Sequence, residues 1–121
     1  MAAELIGLAL ATVAGEVPPA GTMRVIDEAT TRREEPPPHG KIGTSTAYRI
    51  SDGVPNRSME FRKRILHPGS AIGAHLLAHD EVYYVLSGTG EAFSGETMGI
   101  RQTGREPLAL IISYPLAGRA Q

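Results

Sequence analysis

The residues of this chain best suited to chemistry crowd into one stretch, Gly73 to Glu91, "GAHLLAHDEVYYVLSGTGE", where His75, His79, Asp80 and Glu81 stand just ahead of an apolar, aromatic run. Imidazole nitrogen and carboxylate oxygen suit Zn, Mn, Fe, Ni or Cu, and a catalytic metal ordinarily takes three such ligands and keeps an open position. On an unbroken strand residues two apart share a face, so His75, Leu77, His79, Glu81, Tyr83 and Val85 would align. Positions four apart then lie about 13 Å from one another, at roughly 3.3 Å per residue. His75 and Glu81 therefore reach one ion only if "LLAHD" turns the chain between them, and His79 would sit on that turn.

Other chemistries find little support. The chain has no cysteine, which removes disulfides, thiolate metal sites and thiol nucleophiles. Ser87 sits in a glycine turn, and no Gly-x-Ser-x-Gly elbow is present. The glycines of "GTGEAFSG" lack the lysine of a phosphate-binding loop, so no organic cofactor is indicated. Twelve basic and thirteen acidic side chains give a net charge of -1, with only the short basic runs Arg32-Arg33 and Arg62-Lys63-Arg64, so nucleic acid is not an expected partner. The apolar segment Leu5–Ala14 is too short to span a bilayer. It has the length of a signal-peptide core but carries Glu4 where a basic residue would stand. We therefore expect a cytoplasmic protein with an ordered N-terminal strand or helix, and export as the alternative.

The elements that must hold the histidines read as strands. At 121 residues, with 14 Gly and 9 Pro, the chain suits one turn-rich, strand-dominated domain. Residues 1–43 read as an N-terminal arm and loop, and 44–121 as barrel strands. Within the arm, "GEVPPAGTM" is a connector and "MRVID" a short strand, while "EATTRREEPPPHGKIG" is a surface loop, because three consecutive prolines cannot sit in a central strand. His39 ends that loop as an exposed residue. "TSTAYRI" is extended and "SDGVPN" is a turn. In "MEFRKRIL", Met59, Phe61 and Ile65 alternate with Glu60, Arg62 and Arg64, which predicts an apolar face toward the core and a charged face toward water. Ile72 to His75 leads into the histidine stretch, Val82 to Leu86 is a strand, "SGTGE" a tight hairpin, and Leu108 to Tyr114 the last strand. Arg62 and Arg64 have a second use, clamping an anionic substrate, since guanidinium pairs bidentately with carboxylate. Tyr83 shares the face of Glu81 and would line a pocket there.

The register Gly69, five residues, His75, five residues, Glu81, six residues, Gly88 resembles the first motif of the cupin superfamily, and "HPGS" and "EVYYVLSGTGE" resemble its small single-domain members over residues 59–91. Leu77 stands where the family has its second histidine. The second motif, a Pro-x-Gly turn followed by a histidine, has no counterpart in "AFSGETMGIRQT", as if about two strands were absent between Ser94 and Ile100, while "GIRQTGREPLALIISYP" resembles the closing strands. The resemblance implies an all-β fold, a cupin-type antiparallel β-barrel or double-stranded β-helix, incomplete at one edge or covered there by the N-terminal arm. Open edges expose unpaired backbone groups, and strand exchange in a homodimer is one way to cover them.

For function, the resemblance implies a small-molecule pocket in the barrel. The first reading is a divalent metal (Zn, Mn, Fe or Ni) on His75, Glu81 and His79, acting on a small oxygenated substrate lined by Tyr83, Arg62 and Arg64. The second is a non-catalytic module that binds a small ligand or dimerises. Fold does not choose between an enzyme and a binding protein; the number of convergent ligands does.

Overall fold

A computed structural model describes residues 23–116. Eight strands form two antiparallel sheets: β1 (Arg32–Glu35), β2 (Ser45–Tyr48), β3 (Met59–Leu66), β4 (Ala71–His75), β5 (Val82–Ser87), β6 (Thr89–Ser94), β7 (Met98–Thr103) and β8 (Leu108–Pro115). The larger sheet has the order β1-β2-β3-β8-β5 and the smaller β4-β7-β6. Their facing sides hold the core, Leu66, Leu108, Leu110 and Ile112 from one sheet and Ile72, Met98 and Ile100 from the other. The architecture is that of a cupin-type antiparallel β-barrel, opened along one side so that the two sheets do not close on each other.

Two turns fix how the sheets meet. Gly69 adopts φ +84°, a left-handed conformation that favours glycine, and its N–H donates to Gln102 Oε1 at 2.8 Å. The Gln102 amide in turn donates to the carbonyls of Gly104 and Glu106, so one buried side chain ties the β3–β4 turn to the β7–β8 turn. Gly88, at φ +86°, stands where a Cβ would meet the Pro107 carbonyl oxygen at 2.1 Å.

Several expectations need correction. "MRVID" is not a strand; it leads into a 3-10 turn at Glu28–Thr31, capped by the Asp27 carboxylate on the Ala29 N–H. The segment read as a loop after it contains β1, which pairs residue for residue with β2 from Arg32↔Tyr48 to Glu35↔Ser45, so the arm does cover one sheet edge. Pro36 begins only after that strand ends, consistent with the missing proline N–H. "SGTGE" is a tight turn but not a hairpin: β5 pairs with β8 and β6 with β7, so Gly88 passes the chain from one sheet to the other. The hairpin lies one strand later, where Ser94↔Met98 closes a turn carrying the Gly95 N–H to Thr97 carbonyl bond. The N-terminal apolar segment and "GEVPPAGT" lie outside the described residues.

The faces of β3 are also reversed. Glu60 and Arg64 are buried, while Met59 and Phe61 are about half exposed. Alternation identifies two faces without saying which is inside, and here the charged face lines the barrel interior.

Candidate functional site

Strand register builds the site. Arg62 pairs with Ile112 and Ile112 with Tyr83, so these three residues form one row across β3, β8 and β5. The next row inward is Arg64, Leu110 and Val85, and on the other side of the first row Glu60 faces Tyr114. Residues in a row two strands apart lie about 10 Å from each other, enough to leave a space between their side chains. That space is a cavity of about 480 Å³, walled by Arg62, Arg64, Tyr83, Ile112 and Tyr114 from the large sheet, with Ile72 and His75 from β4 and Glu81 just before β5. Its mouth is formed by Glu35, Pro36–Lys41 and Arg49.

Charge in the cavity is strongly ordered. Arg64 donates to Ser45 Oγ at 2.8 Å and to Glu35 Oε2 at 2.9 Å, and Arg49 donates to both Glu35 oxygens. Burial alone would raise the Glu35 pKa, but the Arg64 and Arg49 hydrogen bonds outweigh it and hold the carboxyl below the usual range. Behind the wall, Glu60 receives Ser51 Oγ at 2.5 Å and two of the Arg57 nitrogens, Nε at 3.1 Å and Nη2 at 3.0 Å. Burial again works against ionisation, and Arg57, Ser51 and Arg62 together keep Glu60 below its ordinary value. Arg62 is engaged through one nitrogen only, Nη2, which also stands 3.5 Å from Glu60 Oε2. That nitrogen donates to Asp52 at 3.0 Å, while the buried Nε has no hydrogen-bond partner among the described residues.

The histidines divide. His75 Nδ1 donates to the Gly73 carbonyl at 2.8 Å, which leaves Nε2 as the free lone pair. Its ring stacks on His39, with centroids 3.6 Å apart and planes 8° from parallel. His39 is the exposed turn residue the sequence predicts, and its ring also stands at the cavity through this stack. It adopts φ +62°, and Lys41 likewise has φ +53°, so the Pro38–Lys41 turn folds back over β4. Burial, and then the neighbouring His75, lower the His39 pKa, and Glu81 opposes them. Gly73 permits this approach, since a Cβ there would stand 1.9 Å from the His39 carbonyl oxygen. His79 is elsewhere: its ring stacks on Tyr114 at 4.7 Å, its Nδ1 donates to the Asp80 carbonyl, and it is not part of the cavity lining. Leu77 is exposed.

Glu81 is on the cavity wall with its buried Oε1 lacking a partner, the second such atom among the described residues. Tyr83 beside it is held protonated, mainly by burial and further by the Glu81 carboxylate. An unpartnered carboxylate oxygen is what a metal or a hydrogen-bond donor would meet. Yet no three His, Asp or Glu side chains among the described residues gather as a metal-binding group. His75 and Glu81 share the cavity without His79, and Leu77 supplies no donor, so the set does not fit a three-ligand metal centre.

Of the expected site residues, the structure brings together His75, Glu81, Tyr83, Arg62 and Arg64. It adds Glu35, His39 and Arg49, which no spacing in the sequence pointed to, because they arrive from the arm and from the loop after β2.

One comparison bears on the fold. A solved structure described as a predicted oxalate decarboxylase from Thermotoga maritima superposes with a TM-score of 0.62, at 24% sequence identity, covering 77% of this chain and 99% of that one. No family model matches the chain. No curated protein matches it either. Among the described residues, no helix is long and apolar enough to cross a membrane.

Proposed function

We propose that the cavity binds a small organic anion and that Arg62 is its anchor. The observation that carries this reading is a cation on the cavity wall whose Nε is unspent, while Arg64 and Arg49 are committed to Glu35. Four cationic side chains, Lys41, Arg49, Arg62 and Arg64, line the cavity against two carboxylates, Glu35 and Glu81. A buried donor without an acceptor is costly, and a ligand carboxylate reaching it offsets that cost with a charge-assisted bond. Oxalate, in the name of the Thermotoga protein, belongs to the same chemical class of small acids.

Calorimetric titration with oxalate, malonate and the uncharged diamide of oxalate tests the reading. The acids bind and the diamide does not; at a hundred times Kd the stabilisation is about 2.7 kcal/mol. Arg62→Met abolishes binding. Lys63→Met leaves it intact, because Lys63 lies over the Tyr48 ring and pairs with Glu28, away from the cavity lining. Equal binding of acid and diamide, or an Arg62→Met variant that binds normally, rejects it.

The competing reading is a metal-dependent enzyme with a divalent ion on His75, Glu81 and His79. In its favour stands the unpartnered Glu81 Oε1; against it stands the position of His79 on Tyr114. Elemental analysis of the purified chain beside His75→Ala decides between them. We expect well under one metal ion per chain, unchanged in the variant. Near-stoichiometric metal that the variant loses reverses the order of the two readings.

A further inference from the structure

Two buried polar side-chain atoms lack a partner among the described residues, and they are of opposite kind: Arg62 Nε is a donor and Glu81 Oε1 an acceptor. Both belong to residues that line the same cavity of about 480 Å³. They approach it from opposite sides, Arg62 on β3 and Glu81 just before β5, with β8 between those two strands. No neighbour supplies what Glu81 lacks. The Tyr83 hydroxyl donates to the Met98 sulfur at 3.9 Å, and His75 Nδ1 is used on the Gly73 carbonyl, so the Nε2 lone pair that remains is itself an acceptor.

We infer that the ligand of this cavity is a small hydroxy acid, its carboxylate on Arg62 and its hydroxyl donating to Glu81 Oε1; the assignment rests on the anion-binding reading above and narrows it. A ligand that satisfies both atoms must be an acceptor at one end and a donor at the other. Oxalate and malonate, as dianions, carry acceptors alone, so they serve Arg62 and bring a second negative charge toward Glu81. A hydroxyl supplies the missing donor without adding charge. An ammonium group would also donate, but it cancels the ligand's net charge, and a wall with four cationic side chains against two carboxylates favours a ligand that stays an anion. A metal ion is the other way to satisfy Glu81, and the wall gives it no third ligand, since His79 stacks on Tyr114 and Leu77 carries no donor atom. A hydrogen bond to a carboxylate is stronger than one between neutral groups. A site built around such a bond discriminates against the analogue that lacks the hydroxyl, because its own buried group is then left unpaired.

Calorimetric titrations of the full chain, in the presence of a chelator, test this with matched pairs: both enantiomers of lactate against propionate, and of 3-hydroxybutyrate against butyrate. The hydroxy acid whose spacing fits binds about 10- to 100-fold more tightly than its parent acid, the range of one hydrogen bond to a charged group. Its methyl ether, which keeps the oxygen and loses the proton, returns to the parent's affinity. Glu81→Met brings hydroxy acid and parent to equal affinity, whereas Arg62→Met abolishes the binding of both. Circular-dichroism spectra verify the fold of each variant, and the ether comparison on the unaltered chain stands whether or not a variant folds. Equal affinities for hydroxy and parent acids in both pairs overturn the inference; if that binding still needs Arg62, the anion reading survives without it. A hydroxyl preference that persists in Glu81→Met, or that arises only when a divalent metal is added back, also overturns it. Binding of no acid at all removes the anion reading and the inference together.

Discussion

Glu60 is a carboxylate taken out of water and compensated on three sides, by Ser51, by the Arg57 guanidinium and by Arg62 at 3.5 Å. Its backbone carbonyl also accepts Ser113 Oγ at 2.9 Å, which joins β3 to β8 beside the cavity. Removing one member of a buried charge network leaves the rest desolvated without compensation, and that usually costs more than the pair contributes. Arg57 and Arg62 retain some contact with solvent, which softens the loss. We expect Glu60→Gln, which keeps the shape and removes the charge, to lower stability by about 2 kcal/mol, below the range for fully buried pairs. Glu91→Gln is the comparison, because Glu91 and Arg101 form an exposed pair on the small sheet and such pairs contribute roughly 0–1 kcal/mol. Urea midpoints for the two variants test the difference; equal midpoints would show that the Glu60 network is not a structural anchor.

At the scale of elements, the cavity mouth depends on a loop and a strand in close contact. The Gly73 N–H donates to the Pro38 carbonyl at 3.4 Å and the His39 carbonyl occupies the space of a missing Cβ. Gly73→Ala therefore pushes the Pro36–Lys41 loop outward, and the His39–His75 stack with it. We expect a loss of about 1–3 kcal/mol, typical of overpacking, and weaker anion binding without a change in the β3–β8 core. Nuclear magnetic resonance shifts confined to the 36–41 loop, β4 and the cavity would match this; shifts spread through β8 would not. The motif Gly69, His75, Glu81, Gly88 was legible in the sequence because it belongs to local turns and one strand, whose geometry short-range residue types dictate. The reversed face of β3 was not legible, since a period of two is the same whichever side is inside. Glu35, His39 and Arg49 were not legible for a different reason: they reach the cavity through pairings with β2 and β4 distant in sequence, which no local pattern encodes.

For the molecule as a whole, charged groups inside the barrel tie together the strands and turns of the large sheet. Glu35 binds β1 to Arg64 on β3 and to Arg49 after β2, and Glu60 binds β3 to the Ile50–Gly53 turn and to Arg57. Both carboxyls are held below their ordinary 4.5 in the folded chain, their arginine partners outweighing burial. The unfolded chain therefore takes up protons first as the pH falls, and linkage makes the folded state lose stability over that interval. The contribution of the two groups is complete above the unfolded value and is lost as the pH drops below it, through the depressed folded values. Thermal unfolding should accordingly show a midpoint that changes only gently from neutrality to about pH 5 and falls steeply below about pH 4. Histidine protonation acts at higher pH, where His39, its pKa lowered by burial and by His75, adds a shallower decline below the usual 6.5. Removing both carboxylates in a Glu35→Gln, Glu60→Gln double variant should lower the neutral midpoint and flatten the acid limb, because no depressed carboxyl remains there to titrate. A double variant that keeps the wild-type acid limb would place the acid sensitivity in other carboxylates and leave the arginine-lined interior without its assigned part in tying the strands and turns of the large sheet together.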